Sequence, residues 1–277
     1  MMKLRLGEGF ERLIDMLKER FDPFFHSLAD GLTAAIRGLE AVLLLPPSYV
    51  IIGLLAAASW RLSGLGSAVL SALGLLLIDK MGLWQATMET LALVLSAAVV
   101  SLLLGIPLGI ASTYSRWMER LMRPVLDLMQ TMPAFVYLIP AVLFFRLGKV
   151  PGMVATVIFA MPPAVRLTQL GIKQVPRDVV DAAIAFGSTP RQLLFQVQLP
   201  IALPTLLAGV NQTLMLSLSM VVISAMIGAG GLGEEVLKGI TQLRIGLGFE
   251  SGIAVVILAI VLDRLTHALG QSRTRPS

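Results

Sequence analysis

The sequence predicts an all-α polytopic membrane protein of about seven spanning helices, with an amphipathic helix at its N-terminus. Three observations carry this reading. The 277 residues are 56% hydrophobic and only 14% charged, with a mean hydropathy of +0.83, outside the composition usual for a soluble domain of this size. The apolar residues gather into runs long enough to cross a bilayer, where about 20 residues make a helix and fewer suffice if neighbours cover its ends. Charged and turn residues fall between those runs.

Residues 8–28 place Phe10, Leu13, Ile14, Leu17 and Phe21 at helical spacing, with Glu11, Arg12, Asp15, Lys18 and Glu19 on the other side. This is the pattern of an interfacial amphipathic helix, and a solvated helix packed on a neighbour fits it equally well. The stretch lacks an uninterrupted apolar core followed by a small-residue cleavage site, so it does not read as a secretory signal. Spans are expected at 41–59, 62–79, 88–112, 131–147, 150–168, 203–228 and 249–267. The fourth and fifth are short and hold Pro133, Pro140, Pro151, Pro162 and Pro163, which predicts kinks whose freed carbonyls neighbouring helices must satisfy. No internal repeat or flexible linker divides the chain. The expected organisation is a tail with the amphipathic helix at 1–40, two additional spans at 41–83, a membrane core at 84–267 and a C-terminal tail at 268–277.

The formal net charge is +5. The basic residues form no dense patch, which argues against a nucleic-acid partner and for positive-inside topology. Arg61, Arg116, Arg120, Arg123, Arg166, Lys173, Arg177, Arg191, Arg264, Arg273 and Arg275 fall in connections on one side of a seven-span arrangement, against Lys80, Arg146, Lys149, Lys238 and Arg244 on the other. The richer side is expected to be cytoplasmic, leaving the C-terminus inside and the N-terminus outside. The tail strains this rule, because it holds six basic residues beside seven acidic ones. With no Cys and two His, the chain has no disulfides and little material for a metal site.

One stretch breaks the apolar pattern: "VPRDVVDAAIAFGSTPRQLLFQVQLP", 175–200. Pro176 suits a first helical turn, Asp178 and Asp181 its N-terminal end, and Gly187 the left-handed position that stops it. Ser188 or Thr189 caps a second helix from Pro190, expected to end at Pro200. A short rigid helix presenting Ala182, Ala183, Ile184 and Phe186 suits docking into another protein's groove. A hairpin lying on lipid headgroups satisfies the same local physics.

The spacing Asp181-Ala182-Ala183, Gly187 and Val197-x-Leu199-Pro200 resembles the E-A-A-x3-G-x9-I-x-L-P signature of permease subunits of binding-protein-dependent ABC importers, with Asp for Glu and Val for Ile as conservative departures. "MQTMPAFVYLIPAVLFFRLGKVPG", "AGVNQTLMLSLSMVVISAMIGAGGLG" and "VILAIVLDRLT" extend the similarity over roughly 84–267, to the glycine betaine/proline branch. The resemblance implies a type I (MetI-like) importer fold and an inner-membrane permease that provides the path for an osmoprotectant. In that family the helix at 181–190, within the loop 176–200, is the coupling helix. Asp181, Ala182, Ala183, Phe186, Gly187, Val197, Leu199 and Pro200 are then the residues facing the ATPase. Implied partners are two copies of a cytoplasmic ATPase, a second permease copy, most simply as a homodimer, and an extracytoplasmic substrate-binding protein. No G-x-x-x-x-G-K-[ST] loop is present in the sequence, so the chain is not expected to be an enzyme or to bind a cofactor; ATP and Mg belong to the partner.

Asn211, Thr213 and Ser217 are polar positions in an otherwise apolar span, candidates either for the translocation path or for hydrogen bonds between helices. "GAGGLG", 228–233, satisfies G-x-G-x-x-G formally but follows a membrane helix and no strand, so a dinucleotide site is rejected. Gly228, Gly230, Gly231 and Gly233 instead predict a break where a gate helix tucks back. Span interiors lack Asp and Glu, against an ion-coupled carrier, and no nucleophile-base pair suggests an intramembrane hydrolase. A permease for choline or an amino acid and a passive osmotic channel remain as alternatives, since the sequence does not distinguish among glycine betaine, proline, choline, carnitine and ectoine.

Overall fold

The computed structural model describes residues 6–271, with side chains described at Met16 and over 19–267. The side chains of Phe10, Leu13, Ile14 and Leu17 and most of the tail 268–277, with Arg273 and Arg275, lie outside the described residues. Thirteen α-helices and one π segment follow one another without strands among the described residues. They are α1 (Leu6–Leu44), α2 (Ser48–Ser63), α3 (Leu65–Lys80), α4 (Trp84–Tyr114), α5 (Arg116–Thr131), α6 (Ala134–Phe145), α7 (Lys149–Lys173), α8 (Arg177–Ala185), α9 (Pro190–Gln192), a π segment (Leu193–Gln198), α10 (Leu199–Ser219), α11 (Val221–Ala225), α12 (Gly231–Thr241) and α13 (Ile245–Gln271).

The centre is a stack of α4, α7 and α10 held together by small residues. A Cβ on Gly105 would lie 2.7 Å from Ala164, one on Gly109 2.6 Å from the Val165 carbonyl, and one on Gly209 3.2 Å from Leu167. Without a solvent-driven hydrophobic effect between lipid-embedded helices, such close backbone approach is what supplies van der Waals contact. Helix α13 packs on α10 and on the α2–α3 hairpin, through a core of Leu75, Ile78, Met88, Leu218, Leu258 and Val261. A Ser59–Ser71 hydroxyl pair at 3.1 Å sits inside that hairpin.

By length and composition, four helical stretches suit a membrane crossing: α4, α7, the continuous run Pro190–Ser219, and Ile245–His267. Counting each bent pair as one span raises this to six. The seven expected spans are therefore unequal: α2 and α3 have 16 residues each and α6 only 12. The span expected at 41–59 is instead divided by Pro46-Pro47, where α1 ends and α2 departs at 94°. Because Phe25 stacks on Phe144 at 4.5 Å and Glu40 pairs with Lys149, α1 runs across one end of the bundle, over the α6–α7 turn. It kinks at Phe21 (φ −120°, ψ 15°), just before Pro23.

Of the five prolines expected to kink helices, Pro133 makes the sharp bend, 99° between α5 and α6. The Tyr137 hydroxyl reaches back to the last turn of α5, donating at 2.6 Å to the Met129 carbonyl that Pro133, lacking an N–H, leaves open, with the Leu128 carbonyl at 3.1 Å. Pro162 and Pro163 lie inside an unbroken α7.

Candidate functional site

Helix α8 protrudes at the end of the bundle opposite α1, and its geometry follows from its stop signals. The Gly187 N–H donates to Ile184 and the Ser188 N–H to Ala183, at 2.9 and 3.1 Å, with Gly187 at φ +83°. This is a Schellman close, which needs a residue tolerant of the left-handed region. Thr189 then forms a capping box: its hydroxyl accepts from the Gln192 N–H, and the Gln192 side-chain Oε1 accepts from the Thr189 N–H at 2.9 Å.

Pro200 does not stop this second helix, contrary to the sequence expectation. The π segment widens the turn, so that the Leu199 N–H donates to Leu194, and the proline, which lacks an N–H, enters the first turn of α10 where no donor is required. The helix runs on from Pro190 to Ser219.

Little of α8 touches the rest of the chain. Phe186 is 92% exposed; Asp181, Ala182 and Gly187 are also exposed, Ala183 and Val197 half-buried. Beside them, Phe195, Leu199, Pro200 and Leu203 line an open groove of about 510 Å³. Behind the hairpin, Tyr114 at the end of α4 donates a hydrogen bond to the buried Gln198 of the π segment. Gln169 donates to the Ser112 carbonyl at 3.1 Å, and Glu119 of α5 pairs with Lys173 at 2.8 Å and Arg123 at 2.6 Å. Nothing in the sequence singles out Tyr114 and Gln198, because a tyrosine at a span end is an ordinary interfacial residue.

Three polar residues of α10, Asn211, Thr213 and Ser217, point into the chain. Asn211 donates to Asp263 at 3.0 Å and accepts from the Thr266 hydroxyl at 2.5 Å, both on α13. Thr213 and Ser217 are fully buried, Ser217 donating to the Thr213 carbonyl at 2.8 Å. Of the two alternatives, these contacts supply the hydrogen bonds between helices for Asn211, whereas Gln212 and Ser219 of the same helix stay exposed.

The glycine segment lies at the far end, away from α8. Gly228, Gly230 and Gly231 have φ of 85°, 79° and 71°, breaking the chain between α11 and α12. A Cβ on Gly231 would sit 2.4 Å from Thr90 Oγ1, and one on Gly233 2.3 Å from the Val221 carbonyl. The Leu232 N–H donates to Thr90 at 2.8 Å, and the Gly148 N–H to the Ile227 carbonyl at 2.9 Å. Lys149 stands beside this break, 2.5 Å from Glu40 of α1 and 3.9 Å from Glu89 of α4. On α12, hydrogen bonds to Glu234 and Glu235 hold the Lys238 ammonium above the usual lysine range. The sequence-derived candidates thus form two separate sites, one at each end of the bundle, with Asn211, Thr213 and Ser217 in the packed interior.

A model of the family described as binding-protein-dependent transport system inner membrane component matches residues 101–275, more than half of the chain. The chain belongs to this family. The permease is 51% identical over 265 residues to the glycine betaine transport system permease protein OpuAB of Bacillus subtilis, covering 96% of this chain and 94% of that one. It is 50% identical to the glycine betaine/proline betaine permease ProW of Escherichia coli, over 95% of this chain and 74% of that one. The glycine betaine/carnitine permease GbuB of Listeria monocytogenes is 47% identical, with 96% and 95% covered. Among solved structures, an inward-facing MetNI methionine ABC transporter chain superposes with a TM-score of 0.64 at 22% identity, over 70% of the permease and 96% of that chain. At that identity the likeness bears on the fold, which is MetI-like. The permease is therefore a multi-pass inner-membrane subunit of an ABC importer, a class that works with an ATPase and a substrate-binding protein.

Proposed function

We propose that the chain forms the translocation path of an importer for glycine betaine and related quaternary-amine osmolytes, driven by ATP hydrolysis on a separate subunit. The observation that carries the substrate class is identity of about half, over nearly the full length of this chain, to two permeases named for glycine betaine. The coupling role of Asp181, Ala182, Ala183, Phe186 and Gly187 is supported by their position on or at the end of a protruding, capped helix with a 92% exposed phenylalanine at its tip, and that of Val197, Leu199 and Pro200 by their place on the π segment and the start of α10 that follow it. A protein that left such a helix unpartnered would expose apolar surface for no gain.

In this reading the α8 end is cytoplasmic, supported by the clustering there of Arg116, Arg120, Arg123, Arg166, Lys173, Arg177 and Arg191. The end crossed by α1 is extracytoplasmic, with the N-terminus on that side, and Gly228, Gly230, Gly231 and Gly233 form the hinge of a gate there. Two permease copies enclose the path and two ATPase copies bind ATP and Mg, this chain binding neither. Closure of the ATPases moves α8, and the continuous helix from Pro190 to Ser219 carries that movement into the bundle.

The test is ATP-dependent uptake into proteoliposomes containing the permease, its ATPase and its binding protein, with labelled glycine betaine, proline betaine, carnitine, choline and proline. Saturable, ATP-dependent accumulation of the betaines is expected. Accumulation of none of them, with ATP hydrolysis intact, would overturn the substrate assignment.

A further inference from the structure

We propose that the cavity between α1 and the α6–α7 turn binds the phosphodiester headgroup of an anionic phospholipid. The cavity measures about 500 Å³, and its charged lining comprises His26, Asp30, Arg37, Arg146 and Lys149. Lys149 is already engaged by Glu40 and Glu89. Arg37 and Arg146 take part in no ion pair among the described residues. Two guanidinium groups on one cavity repel each other, Asp30 is the one carboxylate on the lining and pairs with neither among the described residues, and an anion between them lowers that cost. Phosphate geometry also matches the guanidinium fork.

The backbone points the same way. Arg146 ends α6 at φ 62°, ψ −170°, a conformation nearly confined to glycine, and strain held at a side chain lining a cavity is a mark of a working site. A glycine at 146 would be the relaxed solution for this turn, yet arginine stands there. Phe25 stacked on Phe144 fixes α1 against the end of α6 and keeps the cavity's two walls together.

The apolar part of the lining favours a lipid over a soluble anion. Phe144, Phe145 and Leu147 line the cavity beside Arg146, and Leu147 is 73% exposed. Basic groups bordered by exposed apolar side chains on a helix crossing the end of a membrane bundle are the arrangement that holds a headgroup while acyl chains continue along the protein. Asp30 lies on the same lining and can accept a hydrogen bond from a headgroup hydroxyl, as in phosphatidylglycerol. This proposal is independent of which solute the permease carries.

The full-length permease, purified in detergent, would be titrated with phosphatidylglycerol or phosphatidylcholine and the bound lipid read by native mass spectrometry. Phosphatidylglycerol should be retained preferentially. Retention should fall by about tenfold in Arg37→Gln and in Arg146→Gly, the loss of one charge-assisted bond, and by less in Arg146→Lys, which keeps the charge without the fork. Arg146→Gly should also raise the lipid-free melting temperature, which a merely structural role for arginine would not do. Wild-type retention in both Arg37→Gln and Arg146→Gly would overturn the proposal. So would displacement of the lipid by equimolar sn-glycerol 3-phosphate, which would make this a free-phosphate site, or by equimolar polyglutamate, which would make it a site for an acidic polypeptide.

Discussion

Single residues carry distinct tasks at the two ends of the permease. A Cβ added to Gly187 would meet no heavy atom within 4 Å, but the φ of +83° lies where other residues are strained. Gly187→Leu should therefore cost about 1–3 kcal/mol locally through the backbone alone, and tilt α8 without disturbing the core. Uptake should drop while ATPase activity persists, read by measuring both in the same proteoliposomes. Gly233 is the opposite case: its neighbour is the Val221 carbonyl, 2.3 Å from a would-be Cβ, and rigid backbone cannot yield as a side-chain tip can. Gly233→Val should lower the melting temperature of the detergent-solubilised permease, as overpacking a tight contact does. Asn211 discriminates between its two roles. If it binds α10 to α13 through Asp263 and Thr266, Asn211→Leu leaves a polar partner unsatisfied at about 1–3 kcal/mol and lowers the melting temperature; unchanged melting with altered solute selectivity would place it on the path.

At the scale of elements, the joint between α4 and the π segment gives the proposed docking helix a mechanical route to a long one. Tyr114 donates to Gln198, so a shift of α8 is felt by α4 as well as by α10. Tyr114→Phe should reduce solute transported per ATP hydrolysed, with ATPase binding unchanged in a co-purification assay. The cap signals around this joint were legible from sequence, because Gly187 and Thr189 act through bonds to residues three to five positions away. The continuation past Pro200 was not, since no local pattern marks a π turn and the Tyr114 that bonds to it is distant in sequence. The same contrast holds for α1. Its helical pattern is visible in the chain, but its path across the bundle end is fixed by Phe144 and Lys149, contacts that no local pattern announces. Thr90 was likewise hidden, since its hydroxyl pairs with Leu232, 142 residues away.

For the whole molecule, apolar content foretold a helical membrane protein, while span lengths were less legible. Hydropathy does not reveal that α2, α3 and α6 are short, because protein neighbours, and not lipid alone, cover their ends. The proposed sidedness rests on charge, and the absence of cysteine in the chain makes it directly measurable. In intact cells, Ser27→Cys on α1 should react with a membrane-impermeant maleimide, whereas Arg120→Cys on α5 should react only after permeabilisation. The reverse pattern would invert the topology.

The most direct measurement of coupling through α8 compares wild type with Phe186→Asp, reconstituted with the ATPase and binding protein, reading glycine betaine uptake, ATP hydrolysis and ATPase retention together. Phe186 is 92% exposed, so the substitution should change the permease's own stability by no more than about 0.5 kcal/mol. The expected result is loss of uptake together with loss of ATPase retention or of binding-protein-stimulated hydrolysis, with the permease still folded and inserted. Wild-type uptake, hydrolysis and retention in Phe186→Asp would contradict docking through this helix.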